Sequence, residues 1–402
     1  FFAYVGRGLG VKAGVASAFI SIVGYITIQL AIYGFFGAIL SGQMAALGLD
    51  MPWYVWTIIA WVLVTALSLL SVDVGAKVLG TLMILELLSL IITAVAILAN
   101  GGPEGWNLAA SFAPDQIFAG GFGGGAGIAI AFAFASFIGF EATAIYGEES
   151  IDPKKTVRRA TYWAIGIITA LFAIVAFAMV TGMGANQIFD QVIARSSIEG
   201  VPLADPAAVL FSLASEYVGP WMATVMSWLV VSSLFAGLLA FQNATARYFF
   251  AMGRGGVLPA RFGMTNKAGA PRAGVILTSA IAVVVVALFA GLKLDPILNL
   301  FFWMSAITAV AIIAVEVLVS ISVFMFFKNN GGASIWQSTI APLASAVLLI
   351  GAEYLLMSRF GLLSGLAPSP EASGETWNLT PLGWVLVLSP FIAMVIGYVV
   401  AS

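Results

Sequence analysis

Residues 127–160 read GIAIAFAFASFIGFEATAIYGEESIDPKKTVRRA, an apolar stretch that runs without pause into a charged one. The apolar part is long enough, at roughly 20 residues, to cross a bilayer as a helix. It also carries Ser136, Gly139 and Glu141 near its middle. A carboxylate at that depth is costly, and intramembrane ionisable groups face a cavity or a partner and mark solute or proton paths. Gly139, two residues earlier, is an inexpensive place to break the helix. A break in a spanning helix frees backbone N–H and C=O groups, which are tolerated only where they line a cavity. The stretch therefore predicts a binding site in the middle of a membrane.

Composition sets the same frame. The chain has 402 residues, 61% of them hydrophobic and only 8% charged, against about 25% charged in soluble domains. Forty-three glycines and eleven tryptophans suit closely packed membrane helices with interfacial anchors. With no cysteine and no histidine, the chain has no thiol nucleophile, no disulfide and no imidazole ligand, so no metal site and no enzyme centre is expected. The formal net charge of −2 lacks the basic excess of a nucleic-acid binder. The chain starts at Phe1 rather than methionine, and segments preceding it are expected.

Ten apolar segments are expected to span: Val11 to Leu40, Trp53 to Val72, Val78 to Leu98, Ile128 to Ile145, Tyr162 to Thr181, Trp221 to Phe250, Ala273 to Leu292, Ile297 to Phe327, Ile335 to Met357 and Leu382 to Val400. If the chain begins in the cytoplasm, thirteen of its sixteen basic residues fall in cytoplasmic loops, and only Arg195, Lys293 and Arg359 lie outside. The positive-inside rule then predicts a cell (inner) membrane protein with both ends of this chain cytoplasmic. Between Gly182 and Pro220, the string DPAAVLFSLASEYVG predicts a short helix across the external mouth. The glycine tract 120–127 lacks the Lys-Ser or Lys-Thr of a phosphate loop and reads as a flexible external linker.

The string FASFIGFEATAIYGEESIDPKKTVRRA resembles the sixth helix and following loop of the amino acid, polyamine and organocation (APC) transporter family, in its amino acid permease branch. There an interrupted helix reads F-x-G-[FVY]-[DE], followed by E-E and [ND]-P-x-x-x-[VI]-P-R-A. Arg158 stands where the family has proline. The string NATARYFFAMGRGGVLPARF, residues 243–262, is similar to the end of the family's eighth helix, with Gly255 in place of an aspartate. The start, FFAYVGRGLGVKAGVASAF, resembles the beginning of the third helix.

The resemblance implies an all-α integral membrane protein of about ten helices with the LeuT-type five-plus-five inverted repeat. It would be N-terminally incomplete, with the first two family helices missing. Residues 1–100 would be the rest of the first repeat, 101–330 the second, and 331–402 the last two helices. It also implies a secondary transporter of amino acids or related amines working by alternating access and coupled to protons. A sodium-coupled symporter, an exchanger of the same fold and a non-transporting membrane subunit are the alternatives.

The candidate substrate-binding residues are Ser136, Phe137, Ile138, Gly139 and Phe140 at the break, with Phe134 a possible gate. Tyr25 and Gln29, which with Tyr33 recur every four residues on one face, either line the path or join helices by hydrogen bonds. Glu141 is a candidate proton carrier, or else a brace for the broken helix. Glu86 is the second coupling candidate, because it aligns with a lysine that many proton-coupled family members carry. Ser232 and Ser233 sit where distant relatives coordinate sodium, but serine in a membrane helix mostly bonds its own backbone. Glu316 faces either the bundle or the cytoplasmic vestibule, and Glu353 is expected to snorkel towards an interface.

Overall fold

The computed structural model describes residues 1–70, 76–145, 150, 152–198, 201–202, 207–369 and 371–401. Helices follow one another along the chain: α1 (Phe2–Leu9), α2 (Val11–Ala46), α3 (Trp53–Leu70), α4 (Ala76–Asn100), the short α5 (Leu108–Phe112) and α6 (Pro114–Ile117), α7 (Gly125–Ser136), α8 (Ala142–Ile145) and α9 (Pro153–Met183). Then come α10 (Ile188–Arg195), a ladder of two two-residue strands (Ser197–Ile198 and Val201–Pro202), α11 (Ala208–Tyr217), α12 (Pro220–Arg254), α13 (Arg272–Gly291), α14 (Phe302–Asn330), α15 (Ala341–Ser358), α16 (Phe360–Ser364) and α17 (Pro381–Val400).

Nine segments among the described residues are long and apolar enough to cross a membrane. Of the ten expected spans, the one over Ile128 to Ile145 is not a continuous helix. Its helical part, α7, has 12 residues, about 18 Å at 1.5 Å per residue and short of the roughly 30 Å hydrocarbon core. The spanning helices are apolar all round, as expected of segments that meet lipid on one side and protein on the other. Large side chains such as Val62, Leu63, Ile84 and Val347 are accordingly exposed on the outer surface.

The long helix α2 is the central post of the bundle, packing against α3, α12, α14 and α17. It buries Tyr25 and Tyr33 completely. Close approach depends on glycine: a Cβ at Gly34 would lie 2.5 Å from the Pro296 carbonyl oxygen, and one at Gly24 would lie 2.9 Å from Ile312 Cδ1. Small residues at such crossings are how membrane helices gain dispersion contact when no hydrophobic effect drives them together. The hydroxyls of Thr27 and Thr308, 2.8 Å apart, tie α2 to α14 at the same level.

Local signals account for several helix starts. Asp295 accepts from the N–H groups of Ile297 (2.8 Å) and Leu298 (2.7 Å), and its own N–H donates to Asn299 Oδ1 (2.8 Å). This reciprocal cap opens a π-helical turn, Pro296–Phe301, that leads into α14. Asp152 caps α9, with Pro153 in its first turn. Arg158, the departure from the family proline, lies inside α9 without interrupting it. The acidic pair at 148–149 lies outside the described residues.

Two loop expectations meet the structure differently. The predicted helix in DPAAVLFSLASEYVG forms as α11 and buries Leu213 and Ala214 against neighbouring helices. Arg195 bonds across to it through Glu216 (2.7 Å) and Ser212 (3.0 Å). The glycine tract, expected to be a linker, is exposed at 120–123 and 125 and leads directly into α7. Gly121 has φ +60°, and the buried Arg359 donates to the carbonyls of Gly123 and Gly374. A buried guanidinium needs acceptors, and the glycine backbone, unshielded by side chains, supplies them.

Candidate functional site

The helix that begins at Gly125 stops at Ser136, and residues 137–141 form an irregular turn before α8 resumes at Ala142. The bonds through the turn are of the short-range kind: Phe137 N–H to the Phe134 carbonyl (3.1 Å), Ile138 to Ala135 (3.4 Å) and Phe140 to Phe137 (3.4 Å). Gly139 takes φ +116°, a backbone conformation that any side chain would strain. The break therefore rests on the residue type that sequence analysis singled out.

Glu141 reaches back over the turn. Its Oε2 accepts from the Gly139 N–H at 2.7 Å, and its Oε1 accepts from the Tyr25 hydroxyl at 2.9 Å. It is only 6% exposed. The Gly139 amide, expected to face the cavity unpaired, is therefore satisfied from within the chain. A carboxylate two residues on is the nearest acceptor, and an orphaned amide in a membrane interior costs about 1–3 kcal/mol. Tyr25 is in turn packed by the rings of Tyr248 and Phe241, with centroids 5.2 and 6.0 Å away.

Beside the break lies a cavity of about 520 Å³, within the range of small-molecule sites. One wall is the broken helix, with Phe134, Phe137, Ile138, Phe140 and Glu141. The opposite wall is α14, with Ile312, Ile313, Glu316 and Val319, and α15 adds Ser345 and Leu349. Ser320 of α14 donates to Ser345 across the seam at 3.2 Å. No lysine or arginine side chain lines the cavity among the described residues.

The structure divides the sequence candidates. Phe134, Phe137, Ile138, Phe140 and Glu141 meet at the cavity. Ser136 does not: it is exposed and its hydroxyl donates to the Phe132 carbonyl of its own helix at 2.8 Å. Gly139 shapes the turn without lining the space. Tyr25 stands one residue behind, holding Glu141.

Gln29 points elsewhere. Its amide donates to Gln242 Oε1, and Gln242 Nε2 donates to Ser279 Oγ (2.8 Å) and the Val275 carbonyl (3.0 Å), a buried network that joins α2, α12 and α13. Of the two readings of the Tyr25, Gln29, Tyr33 face, helix joining describes Gln29. Glu86 also lies away from the cavity, on α4, which packs against α12. Ser232 bonds the Leu229 carbonyl of its own helix (2.7 Å).

Sequence places two further acids incompletely. Glu316 resolves to the cavity wall, midway along α14. Its signal is a lone carboxylate inside an apolar span, but which way it faces depends on packing. Glu353 does not snorkel: both its carboxyl oxygens are buried without a hydrogen-bond partner among the described residues. It sits one turn from Leu349 and Leu356 on α15, both in the apolar core.

Comparison with known proteins adds three findings. The family model described as amino acid permease matches residues 1–388. The branched-chain amino acid permease BcaP of Lactococcus lactis subsp. cremoris is 29% identical over 171 residues, covering 42% of this chain. An uncharacterised transporter of Legionella pneumophila subsp. pneumophila is 26% identical over 166 residues, covering 41% of this chain. The alignments span only 34% and 32% of those relatives' own lengths.

Proposed function

Since this chain belongs to the amino acid permease family, a family of membrane transporters and not of enzymes, we propose that it carries an amino acid or related amine across the cell membrane by alternating access. The observation that carries this reading is the broken helix beside a cavity at membrane depth, with a carboxylate on each wall. Interrupted helices at a midplane cavity are how such transporters expose backbone groups and polar side chains to a solute. The walls suit an apolar side chain, since phenylalanines and isoleucines dominate them. A branched-chain substrate fits that lining and agrees with the name of the Lactococcus relative. In our reading both ends of this chain are cytoplasmic, from the distribution of its basic residues.

Coupling is to protons in this proposal. Ser232 turns its hydroxyl to its own backbone, which favours protons over sodium. In this reading Glu86, on α4 where it packs against α12, releases and regains a proton as those helices shift. Glu86→Gln mimics the protonated acid but cannot release a proton. Uptake by the variant should lose its response to a pH gradient while exchange of internal for external substrate persists; gradient-driven uptake at wild-type level would remove Glu86 from the mechanism. The transport reading itself is tested by counterflow in proteoliposomes against a panel of amino acids and amines, with and without a pH gradient. Counterflow of at least one panel member is expected, and none at all would leave a non-transporting membrane subunit as the reading.

A further inference from the structure

Four acids lie within the apolar stretches, and their surroundings differ. Glu353, in α15, has both carboxyl oxygens buried without a hydrogen-bond partner among the described residues and does not line the cavity. Glu141 accepts hydrogen bonds on both oxygens, from Gly139 and Tyr25. Glu86 is half-buried on α4 and lies outside the cavity. Glu316 lines the cavity, faces the field of Glu141, and makes no hydrogen bond among the described residues. Intramembrane acids are kept where they meet a partner or a permeating solute. Glu141 already has its partners within the fold. Glu316 has none among the described residues, and it lines the cavity, where a cationic group of a solute would meet it.

We infer that Glu316 is the residue that holds the ammonium group of the transported solute and sets the charge selectivity of the site. This inference rests on the transport reading above. Glu141 serves mainly as the brace of the helix break and adds a second negative charge across the cavity. Together they make the space favourable for a cation and unfavourable for an isolated anion, and no lysine or arginine side chain among the described residues of the lining reverses that balance. Around the two carboxylates, Phe134, Phe137 and Phe140 offer ring faces and apolar surface. A primary ammonium attached to an apolar body matches both features. The Ser320–Ser345 hydroxyl pair lies on the Glu316 side of the cavity and gives the remaining ammonium protons an acceptor.

The test compares three compounds that share a sec-butyl group in counterflow against proteoliposomes: L-isoleucine, 3-methylpentanoate, which lacks the amine, and 2-methylbutylamine, which lacks the carboxylate. Wild type should take up isoleucine and reject 3-methylpentanoate, with 2-methylbutylamine competing for uptake. Glu316→Gln keeps the shape and removes the charge. A charge-assisted hydrogen bond lost from a buried site corresponds to about tenfold or more in affinity, so the variant's KM for isoleucine should rise by about that factor, and inhibition by 2-methylbutylamine should weaken in parallel. Glu316→Asp should recover part of both.

A merely structural role would lower the amount of folded protein and the maximal rate without changing the order of preference among the three compounds. Isoleucine counterflow with an unchanged KM and an unchanged order of preference in Glu316→Gln overturns the inference and leaves the transport reading standing. Failure of the wild type to exchange any member of the wider panel overturns that reading instead. If Glu316→Gln does not fold, inhibition of the wild type decides alone: competition by 3-methylpentanoate as strong as that by 2-methylbutylamine contradicts an ammonium-selective site.

Discussion

Glu141→Ala is expected to abolish transport and to lower thermal stability in detergent by several kcal/mol, the largest effect of any single substitution near the cavity. The alanine leaves the Gly139 N–H and the Tyr25 hydroxyl without acceptors in a membrane interior, and each orphaned buried donor costs about 1–3 kcal/mol. Glu141→Gln should fall between, because a carboxamide oxygen can accept from one of the two donors while its NH₂ cannot accept from the other. Tyr25→Phe removes a single donor and keeps the ring against Tyr248 and Phe241, so it should cost about 1 kcal/mol. The order alanine, glutamine, then Tyr25→Phe, measured by thermal unfolding, is the signature of a brace. Equal stability of Glu141→Ala and wild type would mean that the break is held by something else.

The second large effect is expected at Gly139. Its φ of +116° is strained for every L side chain, and for a β-branched one most of all, at about 1–3 kcal/mol. Space is not the obstacle, since a Cβ there would meet nothing closer than Phe241 Cζ at 3.9 Å. Gly139→Val should therefore rebuild the turn locally, shifting Phe140 and Glu141, and reduce uptake at least tenfold while the remainder of the bundle folds. Gly351, in α15, also has open space around a built Cβ but lies within a regular helix. Gly351→Ala should transport like wild type. Matching losses in both variants would point to general intolerance of added volume and away from backbone conformation at the break.

Both substitutions fall in residues 136–141, and how far that stretch can be read shows what a membrane sequence exposes. The spans are legible because lipid demands long apolar helices. The break is legible because a glycine two residues before a carboxylate, deep in such a span, suits an interruption that lines a cavity far better than it suits continuous helix facing lipid. Which neighbour each face meets is not legible. Tyr25 and Gln29 share a face by helical spacing, yet four residues along α2 one reaches Glu141 and the other reaches Gln242. Ser136 is one residue from the turn, but at about 100° per residue that step carries it to the exposed side.

Glu353 and Glu316 are equally visible in the sequence as acids in apolar spans. Only the packing of α15 and α14 separates the one in the core from the one at the cavity. The glycine tract has the composition of a flexible linker, whereas its carbonyl at Gly123 is an acceptor for Arg359, 236 residues away in sequence. Contacts over that distance leave no local trace in the tract itself.

The central claim is that the cavity between the helix break and α14 is where the solute binds, and the absence of cysteine from the chain makes a direct measurement simple. Single cysteines placed at Ile138 and Val319, on opposite walls and both partly exposed, and at Lys267, exposed in a loop, are labelled with a small membrane-permeant maleimide with and without saturating substrate identified by counterflow. The account predicts that substrate slows labelling at 138 and at 319 and leaves 267 unchanged. Labelling at 138 and 319 that is indifferent to a substrate the same variants still transport would contradict it.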